Sequence, residues 1–350
     1  MASIKNSSLN SLPQTNTNPP GQIQRNISIF LSFVLVCASF VFLSCATISP
    51  AGSLRQNIPS IAELETAAPN WQLFEDGIGF FHGKIANPQL DFWALQIDLD
   101  SANLQFTAAG GALAKDGSTL STRVSSFVRS NSLIAGINAV PFDVISAIEN
   151  RPIKNIGIVI SGGELVAPAK PEYDALVFYS GGRPEIIKQS ALVPKGATAA
   201  DANTGGINIA DVNICDIENA VGGFHQVLKN NEIPNRVIKS EARHPRSAAG
   251  ISADGKRLYL LVIDGRRPGS IGATEAETAL LLRALGSCDG INFDGGGSSA
   301  LALRCRDGKV RVVNTPIHNR IPGMERAVAG CLGIRKEKAA RIYKSCGVAD

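Results

Sequence analysis

Leu258-Tyr259-Leu260-Leu261-Val262-Ile263-Asp264-Gly265, then Thr274 to Leu285 with Gly286, then Ile291-Asn292-Phe293-Asp294-Gly295-Gly296-Gly297-Ser298-Ser299, is the stretch whose reading decides the fold. The first run is apolar throughout and of strand length, and Asp264-Gly265 stops it. Thr274 stands three residues before Glu277, the spacing of a capping box, and Gly286 offers a helix stop after Leu285. Ile291 to Phe293 and Ala300 to Leu303 read as strands on either side of the glycines. Strand, helix, strand over residues 258–293 predicts a crossover unit with both strands parallel. Asp264 and Asp294 would then leave the carboxyl ends of their strands, where open sheets carry ligand crevices, with their carboxylates near one another.

Outward from this unit, short apolar runs alternate with Gly, Pro, Asn and Asp breaks: 92–99, 133–137, 156–160, 175–179, 206–209, 310–313 and 327–334. That spacing predicts many strands and few helices. The convincing helices are 274–285 and, more modestly, 119–130. The fold class expected is α+β, a single domain of mixed β-sheets over residues 71–350, since no linker-like stretch divides it.

The chain has 350 residues, 44% hydrophobic and 18% charged, which excludes wholesale disorder. Its 34 basic and 30 acidic residues include Lys5 and Arg25 in a leader, and without those two the balance of 32 against 30 is too even for a nucleic-acid-coating surface. Residues 1–26 are rich in Ser, Asn, Gln and Pro; an apolar run from Ile27 to Leu43 follows, then Ser44-Cys45-Ala46. A basic residue, a short apolar stretch and a small residue before a break is the pattern of a secretory signal. Cys45 after Leu43-Ser44 resembles a bacterial lipoprotein processing site, which predicts residues 1–45 as leader, 46–70 as a Pro-containing tether and a lipid on Cys45. The expected location is the bacterial envelope, periplasm or cell surface, with the membrane reached through a lipid or signal anchor.

The cysteines show no C-x-x-C pair, so a zinc site is not expected, and Cys305 and Cys331, each in a strand-like segment, are the candidate disulfide. Three glycines and two hydroxyls in 294–299 make either a tight turn or a nest of backbone N–H groups for a phosphate or sugar hydroxyl. Neither G-x-G-x-x-G nor the P-loop pattern is present. Arg243-His244-Pro245-Arg246-Ser247 and Arg266-Arg267 supply planar donors suited to phosphate oxygens, or solvated basic loops. Glu325-Arg326 is either part of that site or a surface pair, and Glu277 is either catalytic or a helix cap. No G-x-S-x-G elbow occurs.

In order and spacing, His244-Pro245-Arg246-Ser247, Val262-Ile263-Asp264-Gly265-Arg266, Thr274 with Glu277, Ile291 to Ser299 and Glu325-Arg326-Ala327-Val328 resemble the phosphodiester glycosidase family. The likeness spans residues 92–334, with departures after Asn138, where Ala139-Val140-Pro141-Phe142 replace the family's glycines, and after Gly223, where Phe224-His225 follow. The resemblance implies hydrolysis of a sugar-1-phosphodiester, such as an N-acetylglucosamine-1-phospho linkage, in envelope or extracellular glycans. It implies Asp294 or Glu277 as nucleophile or base, with Asp264 and Glu325 as further acidic groups, and Arg246 with Arg266 or Arg326 as phosphate clamp. Asn138, Asn292, His244, Gly295, Gly296, Gly297, Ser298 and Ser299 would complete the substrate site. No cofactor is required, although Asp264, Asp294 and Glu325 offer oxygen ligands suited to Ca²⁺ or Mg²⁺. A glycan-binding lipoprotein without turnover and a metal-dependent phosphodiesterase are the alternatives.

Overall fold

The computed structural model describes residues 69–336, apart from 102–103, 110–117, 182 and 193–215. The leader, the tether, Cys45 and the strand expected at 206–209 lie outside the described residues.

In chain order the strands and helices are β1 Gln72–Glu75, β2 Ile78–Ile85, β3 Leu90–Asp98, β4 Leu104–Ala109, β5 Thr119–Leu120, α1 Val124–Ser130 and β6 Ala135–Asn138. Next come β7 Pro152–Ile153, β8 Val159–Ser161, β9 Glu164–Ala167, β10 Asp174–Tyr179, β11 Glu185–Lys188, β12 Ile217–Gly222 and β13 His225–Leu228. The last are α2 Asn235–Ile238, β14 Arg246–Ile251, β15 Arg257–Ile263, α3 Glu275–Leu285, β16 Asp289–Asn292, β17 Leu301–Arg304, β18 Val310–Val312 and β19 Cys331–Lys336. The fold is therefore mostly β with few helices, further toward β than the α+β expectation.

Three sheets carry the described residues, in the orders β1-β2-β3-β15-β14-β16-β13, β11-β10-β12-β8-β9 and β18-β17-β6-β19-β4, beside a small β5-β7 pair. The two strands expected to flank a crossover, β15 and β16, are not neighbours in their sheet. β15 and β16 do not hydrogen-bond to each other, because β14 runs antiparallel to both and lies between them. They do run in the same direction, with α3 connecting them.

β14 escapes a hydrophobicity reading because its interior is Ser247-Ala248-Ala249-Gly250. Small residues are needed there: a Cβ at Gly250 would lie 2.2 Å from the Ser287 hydroxyl, in the turn after α3. β15 reads as one apolar run because both its faces are covered. Leu258, Leu260 and Val262 join the central core where the three sheets meet, and Tyr259, Leu261 and Ile263 join the core beneath α3.

α3 starts and stops as its sequence predicts. Thr274 and Glu277 form a reciprocal capping box, and Gly286 at φ 115° ends the helix in the left-handed region. The helix expected over 119–130 is shorter, because Thr119-Leu120 pairs with Pro152-Ile153 as β5 and only 124–130 is helical.

No disulfide joins Cys305 to Cys331; both thiols are free. β6 lies between β17 and β19, which puts the two segments about 9.5 Å apart, and a disulfide needs Cα atoms within about 7 Å. No helix among the described residues is long and apolar enough to cross a membrane.

Candidate active site

The glycine turn is the seam between two sheets: β16 enters it from the seven-stranded sheet and β17 leaves it into the sheet of β6. Asn138, the last residue of β6, staples that seam. Its Nδ2 donates to the Asp294 carbonyl at 2.6 Å, and its Oδ1 accepts from the Ala300 N–H at 3.1 Å and from the Ser247 hydroxyl of β14 at 2.6 Å. The side chain is buried and its bonds are spent inside the protein, so it holds the turn and is not open to a sugar. Replacing Asn138 by Ala strands three partners in the interior and is expected to cost about 2–4 kcal/mol, read from the urea midpoint.

Each glycine of the turn has its own reason. A Cβ at Gly295 would lie 2.7 Å from the Pro245 carbonyl, Gly296 has φ +63° and lies under the Arg266 guanidinium, and a Cβ at Gly297 would meet the Arg326 guanidinium at 2.4 Å. Two cations thus lie directly against the backbone of the turn, and because the N–H groups of Gly296, Ser298 and Ser299 are spent on backbone carbonyls, the guanidiniums and not a backbone nest supply the positive charge there.

A histidine orients each of these cations. Arg266 donates to His244 Nδ1 at 2.9 Å, and Arg326 Nε donates to His318 Nδ1 at 3.1 Å. Burial, then the neighbouring guanidiniums, hold both imidazoles below the ordinary histidine range, so at neutral pH they are uncharged acceptors. Arg326 also donates to the Ser298 hydroxyl at 3.2 Å.

Asp294 shares this corner. Its N–H is held by the Ala139 carbonyl at 2.7 Å, fixing where the side chain starts. Burial pushes its carboxyl up to about 6, against the weaker pull of the Ser298 hydroxyl, the Arg326 charge and the Gly295 N–H. A carboxyl half-ionised near pH 6 is suited to accept a proton.

The other expected acidic groups are each engaged elsewhere. Asp264 is buried and accepts from Arg267 Nε at 2.8 Å, Asn314 Nδ2 at 3.0 Å and the Thr315 N–H at 3.1 Å. Its link to the glycine turn runs through Asn314, which also donates to the Ser299 carbonyl at 3.0 Å. Asp264 and Asp294 leave the same ends of β15 and β16, as expected, but the oxygens of Asp264 are taken up by Arg267, Asn314 and Thr315.

Glu277 closes the α3 capping box and takes a forked pair of bonds from Arg243 at 2.7 and 2.6 Å. Glu325 accepts from the Ser125 N–H at 2.8 Å and its hydroxyl at 2.6 Å, capping the first turn of α1 where Arg123 offers no side-chain cap. Burial pushes Glu325 up, and Ser125 and Arg123 oppose it. Among the described residues no three His, Cys, Asp or Glu side chains gather to hold a metal ion; in particular Asp264, Asp294 and Glu325 do not.

Arg246 is also anchored inward. It is 6% exposed, donates to the Ala273 and Ala242 carbonyls at 3.0 and 2.9 Å, and lies 3.6 Å from Glu275, whose other oxygen meets His225 at 2.8 Å. Asn292 faces the same way. It is paired across the sheet with Ala248 and His225, so its side chain lies on the α3 side, and its Oδ1 is buried without a partner. The Ser299 hydroxyl is likewise buried and unpartnered.

His318, Glu275, His225 and Asn314 build this region, yet the sequence assigned them no role in it, while Arg243, expected among the phosphate donors, is instead the partner of Glu277. The signal at hand was weak: Glu275 lies two residues from Glu277 and has no cap spacing of its own, and His318 lies in an irregular loop. The Arg-His pairing depends on contacts 22 and 8 residues apart.

A family model for phosphodiester glycosidase matches residues 131–335, and the chain belongs to that family. A stretch of 92 residues is 37% identical to the SPbeta prophage-derived uncharacterized protein YomE of Bacillus subtilis (strain 168), covering 26% of this chain and 13% of that protein's length. Three solved structures share the fold at TM-score 0.54 each. One is a hypothetical protein from Synechocystis, 15% identical, over 74% of this chain and 62% of that one. Another is a candidate exported protein from Burkholderia pseudomallei, 16% identical, over 70% and 74%. The third is the catalytic domain of zebrafish N-acetylglucosamine-1-phosphodiester alpha-N-acetylglucosaminidase, auto-inhibited by its pro-peptide, 16% identical, over 77% and 87%.

Proposed function

We propose that the protein is an exported hydrolase that cleaves the glycosidic bond of a sugar-1-phosphodiester, of the N-acetylglucosamine-1-phospho type, in envelope or extracellular glycans. The observation that carries this reading is the placement of Arg266 and Arg326 over Gly296 and Gly297, beside an Asp294 carboxyl raised to about 6. Export rests on the leader pattern and on the similarity to a candidate exported protein; the lipid anchor on Cys45 rests on the leader pattern alone.

The phosphate leaving the anomeric carbon is a weak base and needs cations more than a proton donor, so Arg266 and Arg326 clamp it with fixed donors. Asp294 takes a proton from water as the water oxygen bonds to C1, while the C1–O bond breaks and its electron pair leaves on the phosphate monoester. Ser298, bonded to Arg326, keeps clamp and base in register. Asn138, Arg246, Asp264, Glu277 and Glu325 act as scaffold through the bonds described above. Hydrolysis in ¹⁸O-labelled water should put the label on sugar C1 and leave the released phosphate unlabelled; label on phosphorus would overturn the mechanism. Full activity in the presence of a chelator is the matching expectation against a metal-dependent phosphodiesterase.

A further inference from the structure

Six large hydrophobic side chains are exposed among the described residues: Leu73 at 74%, Val144 at 49%, Ile145 at 62%, Ile148 at 56%, Ile271 at 44% and Ile321 at 53%. Single exposed aliphatics need no explanation, but these are not scattered. Val144, Ile145 and Ile148 occupy one loop, and that loop is tied to the residue after the Arg326 clamp: Ser146 bridges Ala327, whose N–H donates to the Ser146 carbonyl at 3.1 Å. Arg123 braces the same loop from α1, with its N–H on Glu149 at 2.7 Å and its guanidinium on the Ala147 carbonyl at 3.0 Å. Ile321 lies between His318 and Arg326 in the segment that carries the clamp, and Ile271 lies on the loop that carries Arg266. Two of the six therefore lie on the segments that carry the two phosphate-clamping arginines, and three more lie on a loop hydrogen-bonded to the Arg326 segment.

We infer that these loops form an apolar rim for the group beyond the phosphate, so that the preferred substrate is amphiphilic: a sugar-1-phosphodiester whose second ester is a long hydrocarbon chain, as in a lipid-linked sugar. This rests on the phosphodiester reading above and adds the class of the aglycone. The chemistry is complementary along its length, with cations at the glycine turn for the phosphate and aliphatic side chains on the adjoining loops for the chain. A polymer of polar sugars would gain nothing from Ile145 and Ile148 held in water by a braced loop.

The test separates binding from turnover. Methyl and decyl esters of a C-glycosyl phosphonate, which cannot be cleaved at C1, are titrated calorimetrically into the full chain below the micelle concentration of the decyl ester. The decyl ester should bind at least about tenfold more tightly, and in the double variant Ile145→Ser with Ile148→Ser that ratio should fall to about two. A wild-type ratio near one, or a ratio untouched by the double variant, overturns the rim. So does a smaller sedimentation mass for the variant, which would give the rim to a second copy of the chain. Hydrolysis of the corresponding methyl and decyl phosphates is measured separately. If neither is cleaved while the ratio persists, the hydrolase reading fails and the rim stands; if both are cleaved with a ratio near one, the reverse holds.

Discussion

Asp294→Asn should lose about a thousandfold in kcat, the contribution expected of a positioned base, and should be more stable than the parent protein at pH 8. The two effects have one cause. The fold holds the Asp294 carboxyl at about 6, above the 3.8 of an unburied aspartate. The folded state therefore favours the protonated form. Well below pH 3 the group is protonated in both folded and unfolded chains and costs nothing. As pH rises through about 6 the folded chain must carry the charge half-buried. The penalty then reaches the order of 2–3 kcal/mol. An uncharged amide of the same size removes it, so the melting temperature should rise by several degrees at pH 8, about 2–4 °C per kcal/mol, with the gain shrinking below pH 6 and vanishing only well below pH 3.8. Thermal melts of both proteins across that range give the answer. A variant that keeps turnover removes Asp294 from the reaction, and a stability difference independent of pH removes the buried charge.

The same titration sets the pH dependence of the reaction. A base must be ionised, so kcat/KM should climb as pH passes through about 6, with that acid limb absent from the residual activity of Asp294→Asn. His244 and His318 work in the same sense. Burial and the charges of Arg246, Arg266 and Arg326 hold them below the ordinary histidine range, so they accept from their arginines at neutral pH. In stronger acid they gain a proton and a charge, lose the acceptor, and release the clamp.

Why some of this was legible in the sequence and some was not comes down to range. The capping box of α3, its glycine stop and the two-faced strand β15 are set by neighbours within a few residues, and each reads directly. The glycine turn was legible as an unusual backbone but not as a seam between sheets, because the pairing of β16 with β14 and of β17 with β6 is non-local. β14 carries no hydrophobic signal, since close approach of the turn after α3 demands a small side chain at Gly250, and without it the strand that separates β15 from β16 goes unseen. The acidic residues divide in the same way. A carboxylate at a strand end reads alike whether it is half-buried beside the glycine turn, as Asp294 is, or is closed in by bonded partners, as Asp264 is. Only the partners Arg267, Asn314 and Thr315, three to 51 residues away, decide between them.

Glu277 shows what that ambiguity costs, and how to resolve it. It is fully buried, and its two oxygens are divided between the Arg243 fork and the helix cap. Removing Arg243 leaves a carboxylate in the interior without its counter-ion, so Arg243→Met should lose about 3–5 kcal/mol in urea unfolding. Combining it with Glu277→Gln, which keeps an acceptor for the Thr274 N–H and discards the charge, should recover much of that loss, because the unpaired charge and not the missing contact carries most of the cost. Single Glu277→Gln is the decisive protein for function. A nucleophile or base replaced by an amide loses turnover by orders of magnitude; a scaffold group keeps kcat within about tenfold while the folded fraction is held constant. We expect the second result, measured at a temperature where the variant is folded. Loss of turnover in a folded Glu277→Gln protein would move the reaction from the glycine turn to the start of α3, where Arg246, Glu275, His225 and the unpartnered Oδ1 of Asn292 already lie together.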